Sequence, residues 1–211
     1  IMRRSTTYPS VRFFRTTSLL PLNTFIGFNY FTNDQMFSGT EFELSSVGIS
    51  VNTRPRDGLG YGVQISKGDQ IDFANVQRGD QFRFGHNLSY NITHQLLIRL
   101  SQSYQTLDVR GGELFQTVLT DLRLSYQFSR ASSLRLSLIH QDTIRDTSLY
   151  GFTIDERSKR LDSQLLYSYQ LNPQTVFFAG YSTSGLDDDA LPGISKTSDS
   201  VFVKFSYAWI L

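Results

Sequence analysis

Hydrophobic and polar residues alternate along the last twelve positions of the chain, residues 200–211. One parity is apolar and strongly aromatic, while the other holds a charge, hydroxyls and small residues. A period of two predicts a β-strand with one apolar face. Exposed on a soluble protein, such an edge strand would favour aggregation, whereas in a transmembrane barrel its apolar face meets lipid. The apolar parity comprises Val201, Val203, Phe205, Tyr207, Trp209 and Leu211.

The same alternation recurs along the chain and predicts ten strands from residue 24 onward, with an eleventh at residues 11–18. The predicted strands cover residues 24–32, 40–52, 59–66, 80–91, 95–106, 114–128, 133–141, 159–171, 175–182 and 200–211. In the second of these the apolar parity changes between Leu44 and Val47, which predicts a β-bulge near Ser45 and Ser46.

The predicted connections alternate between short and long. Short turns fall at residues 54–58, 92–94, 129–132 and 172–174, and longer loops at residues 33–39, 67–79, 107–113, 142–158 and 183–198. Outer-membrane barrels have short periplasmic turns and longer extracellular loops. The pattern therefore predicts such a barrel with its C-terminus on the periplasmic side.

Tyrosines recur close to the predicted periplasmic ends of four strands, and each is followed two residues later by an apolar residue. A tyrosine at that depth places its ring among acyl chains and its hydroxyl among headgroups. The alternative is that tyrosine is simply a good strand former, which does not predict a shared depth. The predicted aromatic girdle consists of Tyr90, Tyr126, Tyr169, Tyr207 and Trp209.

Composition narrows the class of protein further. The 211 residues carry a formal net charge of +1, which argues against nucleic acid as the main partner. Cysteine is absent, so thiolate chemistry and cysteine metal sites are excluded. The sequence contains no run of 18 apolar residues, so no transmembrane helix is predicted. Because single-chain bacterial barrels use even strand numbers, eleven strands favour a single barrel domain over residues 1–211 that lacks N-terminal strands. The assignment of residues 1–21 stays open.

Two resemblances agree with this class. The ending Phe205, Tyr207, Trp209 and Leu211 resembles the C-terminal targeting strand of bacterial outer-membrane proteins, although those usually finish on Phe or Trp. The chain from about residue 38 also resembles a bacterial family with an N-terminal family-9-type carbohydrate-binding domain and a C-terminal barrel. The matching segments are residues 51–55 (VNTRP), 68–73 (GDQIDF), 124–129 (LSYQFS), 171–177 (LNPQTVF) and 205–209 (FSYAW). The resemblance implies an outer-membrane location and glycan-related biology, and it carries no catalytic residues.

Basic residues form the most suggestive cluster. Parity directs Arg83, Arg99, Arg123, Arg135 and Lys204 towards the lumen. Counted up from the turns, Arg99 and Arg123 lie at nearly the same height, with Arg135 lower and Arg83 higher. Rings of arginine or lysine favour anions in a wet pore. The alternative is a lumen network in which these residues pair with acids such as Asp121 and Asp162 and only fill space.

No catalytic or metal site is predicted. His86 and His140 fall on the lipid side, His94 lies in a turn, and no nucleophile, base and orienting group come together. The acidic run at residues 187–189 lacks the spacing of an EF-hand and reads as a solvated loop. We therefore expect no cofactor, no metal and no enzymatic activity.

The sequence thus predicts an all-β fold, an antiparallel transmembrane β-barrel of a Gram-negative outer membrane. The first functional hypothesis is a porin-like or transport channel for an anionic or sugar-like solute. The second is a structural barrel that anchors partner proteins or N-terminal domains. A membrane hydrolase is a weaker third. The expected partners are outer-membrane lipid, the barrel-assembly machinery during biogenesis and envelope proteins, and not nucleic acid.

Overall fold

A computed structural model describes residues 6–7, 11–18, 23–172, 175–188 and 191–207. These residues form β-strands, their turns and one short 3-10 helix, Thr147–Leu149, with no α-helix among them. The strands are β1 (Thr6–Thr7), β2 (Val11–Ser18), β3 (Phe25–Phe37), β4 (Thr40–Arg56), β5 (Leu59–Asp72), β6 (Gln77–Asn91), β7 (Leu96–Val109), β8 (Gly112–Gln127), β9 (Ser132–Arg145), β10 (Arg157–Asn172), β11 (Thr175–Asp188) and β12 (Leu191–Tyr207).

All the strands belong to one antiparallel meander sheet, in which each strand from β3 to β12 is hydrogen-bonded to the next. Both β1 and β2 pair with β3. They lie one after the other along the edge of β3 that faces away from β4. Within the described residues β12 pairs only with β11, and the sheet is therefore open. The predicted all-β antiparallel fold is confirmed, while closure into a barrel is not part of this finding.

The predicted long loops are mostly wrong, because the strands run on through them. The strands from β3 onward are 13 to 17 residues long. Tight turns at Ser38–Gly39 and Arg110–Gly111 replace two of the loops. Polar residues pair in a sheet as readily as apolar ones, since the ladder uses backbone groups. The apolar pattern therefore marked only part of each strand, and the one long connection described is residues 146–156.

The predicted bulge near Ser45 and Ser46 is also wrong. The register of β3 with β4 is continuous from Phe25 to Phe37. Instead, β4 separates from β5 beyond the pair formed by Ser46 and Gly68, on the side of the turn at residues 38–39. The Ser45 N–H and hydroxyl both donate to Asp69 Oδ2, each at 2.9 Å. A Cβ at Gly68 would collide with Ser45 O and with Ser46, so a glycine is needed where the strands part.

This divergence explains why the apolar parity changes in β4. Above the point of separation the β3–β4 hairpin packs against the β5–β6 hairpin. Phe37, Phe42, Leu44 and Ile71 form a small buried cluster, with Val76 packed against it. The ring of Phe73 meets Phe37 edge-on at a centroid distance of 4.9 Å. The apolar residues of β4 thus serve two different contacts along one strand.

The sheet has one apolar and one polar face. Cross-strand partners share a face, and on one face rows such as Leu88, Leu100, Leu122 and Leu138 follow one another from β6 to β9. Most of these large side chains are partly or fully exposed to solvent in the isolated chain. The opposite, polar face holds glycines, serines, asparagines and the arginines of the basic cluster. A face that is both apolar and uncovered is one that something other than water must cover.

Four tyrosines on the apolar face define a line that is inclined to the strands. Tyr90 lies in the row of Leu124, two residues above Tyr126 on β8. Tyr126 lies in the row of Tyr167, two residues above Tyr169 on β10. Tyr169 lies in the row of Phe205, two residues above Tyr207 on β12. We call this the girdle line, and "above" means towards the turns at residues 38–39 and 110–111.

The girdle line therefore descends by one residue per strand. With about 3.3 Å per residue and about 4.8 Å between strands, this corresponds to a strand tilt of roughly 35°. Transmembrane barrels have strand tilts of about 35–45°. A line of residues that is inclined across the flattened sheet thus becomes perpendicular to the barrel axis when the strands tilt by this amount.

Candidate functional site: a basic belt on the polar face

The polar face carries four cations at nearly the same distance from the girdle line. The line crosses β7 at Leu97 and β9 at Ser133, as the pairs with Ser125 and Gln127 show. Measured along each strand, the cations lie two or three residues above it. We call this set the basic belt: Arg99, Arg123, Arg135 and Lys204.

The heights predicted from the turns need one correction. Arg135 lies in a lower row of the sheet than Arg123, because it pairs with Ser125. The inclination of the girdle line cancels this difference, so Arg135 is level with Arg99. Arg83 lies seven residues above Tyr90 on β6 and stands apart from the belt.

The centre of the belt brings two positive charges face to face. Arg99 and Arg123 are direct cross-strand partners on β7 and β8. Arg123 also donates from Nε to Asp121 Oδ1 at 3.0 Å and from Nη2 to Oδ2 at 2.7 Å. Like charges placed directly opposite destabilise a sheet. The single carboxylate therefore compensates only part of the local positive charge.

The other cations of the belt are open to solvent. Arg99, Arg135 and Lys204 are exposed, and within the described residues none of them forms an ion pair. The other acid predicted to face the lumen, Asp162, binds Arg160 Nε at 2.7 Å. The belt is thus a region of excess positive charge, and among the described residues the predicted pairing of its cations with acids forms only between Arg123 and Asp121.

Two cavities flank Arg123 on this face. One, of about 240 Å³, is lined among others by Arg99, Ser101 and Asp121. The other, of about 430 Å³, is lined among others by Arg135 and Gln164. Serine, threonine and glutamine side chains supply further hydrogen-bonding groups beside the guanidinium groups. The guanidinium groups suit the negative charge of an anionic solute, and the neighbouring polar side chains suit its hydroxyl groups.

The other half of the polar face, from β3 to β6, is rich in glycine and asparagine. A Cβ at Gly62 would lie 2.7 Å from both Asn52 Oδ1 and Asn87 Nδ2, so the two amides close over the glycine. A third cavity, of about 730 Å³, opens beside them and reaches Phe25 and Arg56. Neutral amides and an aromatic ring are suited to hydroxyl-bearing solutes.

The loop of residues 146–156 lies at the upper end of the sheet and reaches the β5–β6 turn. Asn75 Nδ2, in the β5–β6 turn, donates to Leu149 O at 2.9 Å. The buried carboxylate of Asp72 accepts from Asn75 and from Gln77 Nε2, at 2.8 and 3.0 Å. Burial raises the pKa of the Tyr150 hydroxyl; the charge of Arg145 opposes this shift and that of Asp72 adds to it. The loop is thereby tied to a hairpin four strands away.

The girdle tyrosines have partners at the lower end. Arg56 donates from Nη2 to the Tyr90 hydroxyl at 2.9 Å and its guanidinium lies 5.1 Å from the ring centre. The ring of Tyr126 packs edge-on against Phe128 at 4.8 Å. Phe205 and Tyr207 lie on the exposed apolar face of β12. Trp209 and Leu211, the remaining residues of the predicted targeting strand, fall outside the described residues.

The histidines lie apart from the basic belt. His86 and His140 are on the apolar face, as parity predicts, and His94 is in the β6–β7 turn. Sequence reasoning did not foresee that His86 Nε2 lies 3.2 Å from Gln102 Oε1 on the next strand. The only signal in the sequence was a polar residue in apolar parity on successive strands. In the described part of the chain, no three histidine or acidic residues are grouped as a metal site would require.

Comparison with known proteins adds no family. No family model matches the chain, and no curated protein matches it at a significant level. No helix among the described residues is long and apolar enough to cross a membrane. The resemblance to barrel proteins with a carbohydrate-binding domain therefore stays a prediction.

Proposed function

We propose that this chain forms an integral β-barrel of a bacterial outer membrane, or part of one, whose lumen passes an anionic or sugar-like solute. The lower end of the sheet faces the periplasm, together with the C-terminus. The basic belt acts as the anion-selective ring of the pore. The observation that carries the proposal is the common height of Arg99, Arg123, Arg135 and Lys204 above an inclined line of tyrosines.

The apolar face supports the membrane location. From the girdle line to six residues above it, no described side chain on this face is charged. The first charges, Lys67, Asp199 and Asp142, lie seven, eight and nine residues above it. At about 3.3 Å per residue and a tilt of roughly 35°, the uncharged band is about 19–24 Å tall. The apolar band of outer-membrane barrels is about 25 Å tall.

The two halves of the polar face support the choice of solute. Guanidinium groups bind carboxylates and phosphates through paired hydrogen bonds. In the other half of the polar face, Asn52 on β4 and Asn87 on β6 offer both donors and acceptors to hydroxyl groups. A solute that combines a negative charge with hydroxyls would contact both halves. This chemistry also fits the glycan-related biology implied by the family resemblance.

The test is ion selectivity in a planar bilayer under a salt gradient, with the intact parent protein purified from membranes. We expect steady conductance with a preference for anions. Changing both Arg99 and Arg123 to Glu should reverse the preference, because two negative charges replace two positive ones at the level of the basic belt, a net change of four units of charge. The matched control is Lys67→Glu on the outward face, which should leave selectivity unchanged. A conducting double variant with the original selectivity would remove the belt from the pore.

The second candidate is a structural barrel that anchors partner proteins or N-terminal domains. The loop at residues 146–156, tied to the β5–β6 turn by Asn75, favours it because a loop fixed between two distant hairpins would restrict the upper entrance of a closed barrel. A correctly inserted barrel that conducts no ions would support this anchor role. Function would then lie in its loops and in the partners it holds.

A further inference from the structure

One row of polar side chains interrupts the apolar face. His86, Gln102, Thr120 and His140 are successive cross-strand partners on β6, β7, β8 and β9. His86 Nε2 and Gln102 Oε1 lie 3.2 Å apart, and Gln102 Nε2 donates to Thr120 Oγ1 at 3.1 Å. We call these four residues the polar ladder.

The polar ladder lies inside the uncharged band. Its members His86, Gln102, Thr120 and His140 are four, five, six and seven residues above the girdle line. The outward neighbours of the first three along their strands are apolar or aromatic, as Leu100, Tyr104 and Leu122 are, whereas those of His140 are Leu138 and the charged Asp142, so His140 lies at the upper edge of the band. If the chain is a transmembrane barrel, as proposed above, His86 and Gln102 face hydrocarbon near the middle of the bilayer. The inference below rests on that proposal.

The internal bonds leave part of the ladder unsatisfied. A primary amide has two N–H donors and an oxygen with two lone pairs. With the His86 Nε2–H donating, Gln102 uses one lone pair and one N–H within the described residues. One donor and one acceptor remain on the same amide. In lipid such groups have no water to bind, and polar side chains between membrane-spanning elements therefore hydrogen-bond to one another.

We propose that a second copy of this chain docks on the polar ladder and that the two Gln102 amides form reciprocal hydrogen bonds. A group with one donor and one acceptor left is complementary to itself. A two-fold axis along the membrane normal keeps each residue at its own depth, so Gln102 on the axis meets Gln102 of the second copy. The surrounding Leu100, Leu122 and Tyr104 then pack against their counterparts.

The absence of cysteine from the sequence makes a direct test simple. Gln102→Cys introduces a single thiol, and Ile49→Cys on β4 is the matched control, being on the same face and four residues above the girdle line. After oxidation with copper phenanthroline in native membranes, we expect a disulfide-linked dimer with Gln102→Cys and not with Ile49→Cys. Equal cross-linking at both positions, or none at position 102 in membrane-inserted protein, would overturn the proposal.

A second variant separates docking from folding. Gln102→Leu removes the self-complementary amide but keeps an apolar surface. By native mass spectrometry in detergent, we expect the unaltered chain to be a dimer and Gln102→Leu a monomer. Heat-modifiable migration on gels and ion selectivity should be the same for both. A persistent dimer contradicts the proposal. If the unaltered chain does not enter membranes at all, the channel and the dimer both fail, whereas a cross-linked dimer with unaltered selectivity in the arginine variants leaves only the channel refuted.

Discussion

Asp121 accepts two hydrogen bonds from the guanidinium of Arg123, while Arg99 lies directly across from the same arginine on the neighbouring strand. The carboxylate shares its strand with Arg123, two residues away, and does not reach over to relieve Arg99. The pair is half exposed on the side of the arginine, so the ion pair itself adds little to stability. Its consequence is electrostatic, because the carboxylate lowers the net positive charge at the centre of the basic belt.

Neutralising this carboxylate should therefore strengthen anion preference. Asp121→Asn keeps the shape and one acceptor for Arg123 but removes the negative charge. We expect the reversal potential in a salt gradient to move further towards that of a perfectly anion-selective pore. Asp80→Asn, on the apolar face far above the girdle line, serves as the control. A shift in the opposite direction, or an equal shift in the control, would mean that the belt does not face the permeating ions.

The alternation of apolar and polar residues was sufficient to predict the class of fold and the face of most side chains. Arg99 and Arg123 fall on the polar face as their parity predicts, and Leu122 on the apolar one. Parity is local, because successive side chains of a strand point to opposite sides whatever the strand pairs with. These features therefore needed no knowledge of tertiary structure.

The features that parity could not predict all depend on register. The common height of Arg99 and Arg135 appears only when the pairings across two hairpins are known. The same holds for the polar ladder, since His86 and Gln102 are sixteen residues apart and meet only through one turn. Strand ends were missed because a strand beyond the apolar band may be polar on both faces, as near Asp69 and Asp80.

The point where β4 leaves β5 makes a stability prediction with an internal control. At Gly68 a methyl group would collide with backbone and side-chain atoms of Ser45 and Ser46, whereas a Cβ at Gly60 on the same strand meets nothing within 4 Å. We expect Gly68→Ala to destabilise the folded chain by about 1–3 kcal/mol. Gly60→Ala should change stability little or raise it slightly, because alanine restricts the unfolded chain.

The measurement is urea unfolding of both variants in the same detergent, followed by the loss of heat-modifiable migration. Because strand register is kept up to Ser46, the damage from Gly68→Ala should be confined to the hairpin of β3 and β4. Protease cleavage near residues 38–39 should therefore increase before global unfolding. Equal stabilities of the two variants would show that Ser45 and Ser46 of β4 do not pass this close to Gly68 of β5.

The loop at residues 146–156 should loosen at alkaline pH. Burial raises the pKa of Tyr150 above the ordinary value for tyrosine of about 10. The neutral phenol is thus favoured in the folded loop, so this stabilisation is fully present below about pH 10 and is lost as the pH rises through the raised pKa. We expect proteolysis within the loop to accelerate above about pH 10 while the strands stay protected. Tyr150→Phe cannot ionise and should abolish this acceleration, and an unchanged pH profile in that variant would assign the opening to another group.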